Sequence, residues 1–157
     1  MNGVRLHGVF AGLVATCFMA GLLSAQTTPV GGSWQMDLAR SHVNDGRTVA
    51  LTFASVASKL KVTSLVHTKG GSDVTTEFVC TTDGKECEFE EGGHKSKVSM
   101  WFLDRVLNVC KTEGPPGDVV NEWKAEPSSD GKTLNLTITH LEPEAAAETL
   151  VFTKNRS

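Results

Sequence analysis

The sequence predicts an all-β protein, an antiparallel up-and-down meander barrel of eight to ten strands. Apolar and polar residues alternate with a period of two along almost the whole chain after residue 31. Turn-forming residues separate these runs at short and even intervals. The segments between the turns, about 5 to 14 residues long, suit antiparallel hairpins and are too short for the crossovers of a parallel sheet.

A secretory signal peptide is predicted for Met1–Ala25, where one basic residue precedes an apolar stretch and two small residues end it. Cleavage after Ala25 leaves a flexible lead-in over residues 26–31 and a single β-barrel domain over residues 32–157. The expected location is therefore the periplasm or the exterior, where cysteines can pair. Two alternatives stay open, an uncleaved membrane anchor and a lipoprotein signal acylated at Cys17.

The charge balance excludes an electrostatic nucleic-acid binder. The chain has 15 Lys and Arg against 18 Asp and Glu, and removal of the leader takes away only Arg5, leaving 14 basic and 18 acidic residues. No basic stripe is present that could follow a phosphate backbone. After residue 25 no apolar run approaches the roughly 20 residues of a membrane helix, so no span is expected after cleavage.

The alternating runs predict nine or ten strands, the first near Trp34 and the last at Leu150 and Phe152. The positions between them are Val49, Leu51 and Phe53; Leu60, Val62, Ser64 and Val66; Val74, Thr76, Phe78 and Cys80; Val98, Met100 and Phe102; Leu107 and Val109; Val119, Asn121 and Trp123; and Leu134, Leu136 and Ile138. Two short pieces, Leu38–Asn44 and Glu142–Glu148, could form helical turns, the second equally a loop. Closure into a barrel removes the two exposed edges of such a meander, and a two-sheet sandwich is the alternative.

One hairpin can be placed in register. If Asp83-Gly84 is a two-residue turn, Cys80 lies opposite Cys87 and the residues two positions further out, Phe78 and Phe89, also face each other. A disulfide between Cys80 and Cys87 is then geometrically plausible. The alternatives are two reduced thiols, or a turn with one extra residue that offsets the pair.

The remaining cysteine of the predicted domain, Cys110, lies on the next hairpin. A turn at Asp104-Arg105 places Phe102 opposite Leu107 and puts Cys110 on the other face of its strand. A buried free thiol, a disulfide to one of the other two cysteines, and a reactive thiol all remain open.

Motifs for cofactor or metal chemistry are absent from the sequence. No phosphate loop, dinucleotide-binding turn, zinc-protease motif or nucleophile elbow occurs, so no cofactor and no metal are expected. The histidines after the leader, in four different segments, are expected at the rim or hydrogen-bonded, although His140 shares the parity of Leu136 and Ile138 and could point inward. The acidic run from Glu86 to Glu91 is typical of the solvated face of an edge strand.

Polar residues interrupt three of the inward stripes. Ser64, Thr76 and Asn121 occupy positions that a dry core would fill with apolar side chains. In a closed barrel they could line a cavity, because ligand pockets combine apolar walls with a few polar groups. The alternative is that each lies near a strand end or bonds a neighbouring backbone group.

The segment Gly32-Ser33-Trp34 resembles the Gly-x-Trp opening of the lipocalins. The resemblance implies that Trp34 packs across the closed end of the barrel, next to Gly32, and that a basic residue from the last strand, Lys154 or Arg156, covers it. The chain also resembles small exported bacterial lipocalin-like proteins of uncharacterised function. That likeness rests on Trp34–Ser41, on Thr81–Cys87, and on the later Asp-Gly turn within residues 128–134.

These observations favour non-catalytic binding of a small apolar or amphipathic ligand inside the barrel. Catalysis is not expected, because it would need two ionisable groups converging inside and the inward stripes contain almost none. The alternative is a structural or protein-interaction module of the cell envelope with a packed barrel, whose protein partner is unknown. The cavity lining predicted from parity is Phe53, Phe78, Phe89, Met100, Phe102, Trp123, Leu136 and Phe152.

Overall fold

A computed structural model of the protein describes residues 28–43, 45–114, 120–142 and 144–155. The described residues form ten antiparallel strands in one sheet. The strands are β1 (Gly32–Met36), β2 (Thr48–Val56), β3 (Lys59–His67), β4 (Val74–Cys80), β5 (Asp83–Glu91), β6 (His94–Leu103), β7 (Val106–Glu113), β8 (Val120–Pro127), β9 (Thr133–Glu142) and β10 (Glu148–Lys154).

The sheet curls into a nearly closed barrel because β1, the first strand, pairs with β10, the last, as well as with β2. Its residues Gly32–Gln35 lie opposite β2, and Trp34–Met36 also lie opposite β10. The spatial order is β4-β3-β2-β1-β10-β9-β8-β7-β6-β5, so every consecutive pair except β4 and β5 forms a ladder. The prediction of an up-and-down meander barrel is confirmed, and a two-sheet sandwich is excluded because all ten strands belong to one sheet.

The two ends of the barrel differ. The chain enters at the closed end, where Trp34 is fully buried and its indole Nε1 donates a hydrogen bond to the carbonyl oxygen of Val30 at 2.8 Å. The ammonium group of Lys154 lies 5.0 Å from the centre of the Trp34 ring, within the range of a cation–π contact. Lys154 is therefore the basic residue that covers the tryptophan, while Arg156, the other candidate, lies outside the described residues.

Gly32 is required at the closed end for two reasons. Its φ angle is +118°, a region that side-chain-bearing residues rarely adopt, and a Cβ there would lie 2.7 Å from Cε of Lys154. The glycine thus lets the lysine side chain cross the start of β1 on its way to Trp34.

The structure corrects the hairpin predicted at Asp83-Gly84. β4 and β5 are the two edges of the sheet, and over their described residues no ladder joins them. Asp83 already belongs to β5 and pairs with Trp101 of β6, and Gly84, with a φ of +82°, occupies a bulge before Glu86. The Asp83 carboxylate accepts hydrogen bonds from the hydroxyl of Thr81, at 2.6 Å, and from the amide of Lys85, at 3.2 Å.

The side-chain pairs expected at this corner nevertheless form. Cys80 and Cys87 are joined by a disulfide, with their Cα atoms 5.7 Å apart. The rings of Phe78 and Phe89 lie 5.2 Å apart between centroids. The seam between β4 and β5 is therefore closed by side chains where every other junction of the barrel is closed by backbone hydrogen bonds.

The other predicted connections have different outcomes. The turn at Asp104-Arg105 is confirmed, with Phe102 opposite Leu107. The helical piece predicted over residues 38–44 is present only as a single turn at its start, where the amide of Ser41 donates a hydrogen bond to the carbonyl oxygen of Asp37 at 3.0 Å. The Asp37 carboxylate stabilises this turn by accepting hydrogen bonds from the amides of Ala39 and Arg40. Residues 142–148 also contain no helix where they are described, since β9 ends at Glu142 and β10 begins at Glu148.

No helix with the length and hydropathy needed to cross a bilayer occurs in the described part of the chain. The predicted leader, with Cys17, and the predicted lead-in up to residue 27 lie outside the described residues.

Removing the disulfide should lower stability. Because the bridge closes a short loop of the unfolded chain, Cys80→Ser/Cys87→Ser should reduce the free energy of unfolding by about 2 kcal/mol in a urea titration. Cys110→Ser is the matched control and should change it far less. An equal effect of both variants would contradict the structural role of the bridge.

Replacing Gly32 should strain the closed end. Gly32→Ala forces a Cβ into the +118° conformation beside Lys154, and we expect a loss of roughly 1 to 2 kcal/mol in the free energy of unfolding. Gly46, whose φ is also positive but which has nothing within 4 Å, provides the comparison. Gly46→Ala retains the backbone strain without the steric contact and should cost less.

Candidate functional site

A cavity of about 370 Å³ lies inside the barrel towards the open end, opposite Trp34. The open end is the one at which β1, β3, β5, β7 and β9 end and the strands that follow them begin. The described residues that line the cavity are Arg47, Ser64, Val66, Thr76, Phe78, Phe89, Glu91, Val98, Val109, Lys111, Asn121, Trp123 and His140.

A second, smaller cavity of about 180 Å³ adjoins the first along β2, β9 and β10. Leu51, Leu136 and Leu150 belong to its wall, with Glu148 at its edge. The residues common to both cavities are Arg47, Ser64, Val66, Asn121, Trp123 and His140. The two spaces therefore share walls and form one branched site.

Half of the predicted lining lies on these walls. Phe78 and Phe89 line the larger cavity, Leu136 the smaller, and Trp123 both. The other four point inward but belong to or pack against the hydrophobic core and line neither of these two cavities; they are Phe53, Met100, Phe102 and Phe152. Parity along a strand gives the face of the sheet but not the depth along the barrel axis, which explains the division.

The three polar residues that interrupt the inward stripes all line the larger cavity. They are Ser64 on β3, Thr76 on β4 and Asn121 on β8. They come from three parts of the barrel wall and leave polar atoms among apolar neighbours. Of the two explanations that the sequence left open, the structure favours the cavity.

The Glu91 carboxylate ties four strands together at the cavity wall. It forms an ion pair with the ammonium of Lys111 on β7. It also accepts hydrogen bonds from the hydroxyl of Thr76 on β4, at 3.2 Å, and from that of Ser96 on β6, at 3.4 Å. The first of these bonds crosses the seam between β4 and β5, so Glu91 holds the open end of the seam as the disulfide holds the closed end.

A second charged cluster lies on the other side of the cavity. The guanidinium of Arg47 pairs with Glu148 at the start of β10, and its other nitrogen lies 3.3 Å from the Asp45 carboxylate. The imidazole Nε2 of His140 lies 3.5 Å from the second oxygen of Glu148. The Nδ1 atom of His140 is buried and has no hydrogen-bond partner among the described residues.

The expectation that the inward stripes contain almost no ionisable groups is wrong. Lys111 follows Leu107 and Val109 at the same parity, and Glu91 follows Phe89, so the period-two pattern itself places both inward. The prediction of a solvated face for the acidic run is correct for the exposed Glu86, Glu88 and Glu90 and wrong for Glu91. Arg47 lies in a connection without periodicity, so no pattern could place it.

Two further kinds of site are possible by residue type in the described chain, a metal cluster and a reactive thiol. No cluster of three or more His, Cys, Asp or Glu side chains is arranged there to hold a metal ion. Cys110 is a free thiol on the outer face of β7. Its partial burial, with the negative charge of Glu122, raises the pKa of the thiol above its usual range.

Comparison with solved structures shows a common fold. Fatty-acid-binding protein 1 of Echinococcus granulosus matches 82% of this chain and 98% of its own, at 14% identity and a TM-score of 0.61. A secretory abundant heat soluble protein of Ramazzottius varieornatus matches 82% and 96%, at 9% identity and a TM-score of 0.63. A mutant of the fluorescent protein UnaG matches 82% and 98%, at 13% identity and a TM-score of 0.55.

These neighbours share the lipocalin-like barrel fold of this chain. No family model matches the sequence, and no curated protein is significantly similar to it. At such low identities the likeness concerns the fold, and the interior must be interpreted from its own side chains.

The raised pKa of Cys110 gives a reactivity test. A smaller fraction of this thiol is ionised at a given pH than in an unfolded chain, so alkylation should be slower. We expect iodoacetamide at pH 8.5 to modify Cys110 at least threefold more slowly in the native protein than in urea, as followed by intact mass. Equal rates would show that the folded environment does not protect the thiol.

Proposed function

We propose that the protein binds a small apolar or amphipathic ligand inside the barrel without transforming it. The observation that carries the proposal is the branched cavity, whose apolar walls combine with a few polar side chains as ligand sites do. The shared fold with a protein named for fatty-acid binding supports the same conclusion.

Removal of apolar surface from water would provide most of the affinity. Phe78, Phe89, Trp123 and Val66 offer that surface within the larger cavity. The gain is about 25 cal/mol for each Å² of ligand surface that leaves water. The polar end of an amphipathic ligand would lie towards Asn121 and His140, near the open end.

Binding without catalysis agrees with the pairing of the charged side chains that line the cavity. Lys111 is paired with Glu91, and Arg47 with Glu148, so the strongest ionisable groups hold each other. An ammonium or guanidinium held in such a pair is not available as a general acid facing a substrate. We therefore propose a carrier or receptor role.

We also propose that the protein acts after export, in the periplasm or outside the cell. The predicted leader motivates this location, and the Cys80–Cys87 disulfide is consistent with an oxidising compartment. The intact mass of the secreted protein would test it: loss of residues 1–25, with the mass of one disulfide, is expected, and a retained leader would contradict it.

A cavity-filling variant tests the binding site. The full chain is expressed with its leader in an oxidising host, purified, and titrated with an uncharged naphthalene dye whose emission rises in apolar surroundings. Val66 lines both cavities, so Val66→Trp should weaken dye binding at least tenfold by occupying the space. Leu65→Trp is the matched control, because Leu65 is the next residue of β3 and faces solvent.

The two variants together decide the outcome. Loss of binding in Val66→Trp with retention in Leu65→Trp supports the interior site. Equal binding by both would place the dye on the outer surface and contradict the proposal, provided that circular dichroism shows both variants folded.

A further inference from the structure

The charges that line the cavity balance each other. The cationic side chains among its described lining residues are Arg47 and Lys111, and each is held by a carboxylate of the protein. Glu91 and Lys111 are 26% and 14% exposed, and Glu148 and Arg47 are 30% and 25% exposed, so all four lie largely out of solvent. The cavity thus presents no described cation that lacks a carboxylate.

A ligand carboxylate would find this arrangement unfavourable. To pair with Lys111 it would have to displace or approach Glu91, which already accepts hydrogen bonds from Thr76 and Ser96. Two carboxylates would then share one ammonium group in a partly desolvated space, where like charges repel strongly and an unpaired charge is costly. The same holds for Arg47, where Glu148 and Asp45 are both present.

An uncharged polar group meets no such penalty. A hydroxyl can donate a hydrogen bond to an oxygen of Glu91 or accept one from a neighbouring polar group without disturbing an ion pair. Ser64 and Asn121 line the same cavity and can bond a neutral group.

We infer that the cavity selects uncharged amphipathic ligands, of the class of long-chain alcohols, over the corresponding carboxylates, and that Glu91 determines this choice. The inference rests on the proposed binding function and names its ligand class. Glu91 acts by pairing with Lys111, the ammonium group with which a ligand carboxylate would otherwise pair.

The test compares 1-decanol with decanoate as competitors of the uncharged dye at pH 7.5. Because the alcohol leaves water more readily than the carboxylate in any apolar cavity, the decisive quantity is the change in their affinity ratio on mutation. Glu91→Gln keeps the size and the accepting oxygen but removes the negative charge beside Lys111. Decanoate affinity should rise at least tenfold, while decanol affinity stays within threefold.

Glu88→Gln is the matched control, because Glu88 lies on the same strand and faces solvent with a 60% exposed side chain. It removes the same charge from β5 outside the cavity and should leave the ratio unchanged. Lys111→Gln is the second variant. It should change the ratio of decanoate to decanol affinity in the opposite direction, with decanoate affinity at least threefold lower. It keeps the inference testable if Glu91→Gln does not fold.

The outcomes separate the two proposals. If wild type binds decanoate more tightly than decanol, or if neither cavity variant changes the ratio relative to Glu88→Gln, the inference about Glu91 is overturned while ligand binding stands. If wild type binds neither competitor nor the dye, the binding function itself is contradicted, and the ligand class with it.

Discussion

The pairing of β1 with both β2 and β10 is the constraint on which the rest of the structure depends. It brings the first and last strands together and turns a linear meander into a barrel. Trp34 lies on that strand, so the same short segment closes the sheet and fills the closed end. The close contact of Gly32 with Lys154 then connects the last strand to the tryptophan that it covers.

Closure at β1 leaves the edges of the sheet elsewhere, at β4 and β5. Backbone pairing there is replaced by three side-chain contacts in a row, from the Cys80–Cys87 disulfide through the two phenylalanines to the hydrogen bond between Thr76 and Glu91. Because the last of these reaches into the cavity, the residue that completes the wall also determines its charge. The carboxylate that holds the open end of the seam is thus the one to which we assign the choice of ligand.

Much of the fold could be predicted because the pattern is local. Period-two alternation and turn residues located the strands, and counting from one turn correctly paired Cys80 with Cys87. The same count implied a ladder that is absent between the described strands, since side chains can meet across edges whose backbones have diverged. The depth of each side chain along the barrel axis and the position of Arg47 depend on contacts between distant parts of the chain. A local sequence pattern does not specify those contacts. Lys111 and Glu91 are predictable from the sequence, because each shares the parity of the inward apolar residues on its strand.

The seam has a mechanical consequence. Because the disulfide holds β4 to β5 at the closed end, these two strands can separate only at the open end. Separation of β4 from β5 near Glu91 breaks only side-chain contacts. Separation of any other pair of adjacent described strands breaks several backbone hydrogen bonds. Among the described strands, widening of the barrel would therefore cost least at the open end of this seam, and it would leave the contacts of Trp34 at the closed end intact.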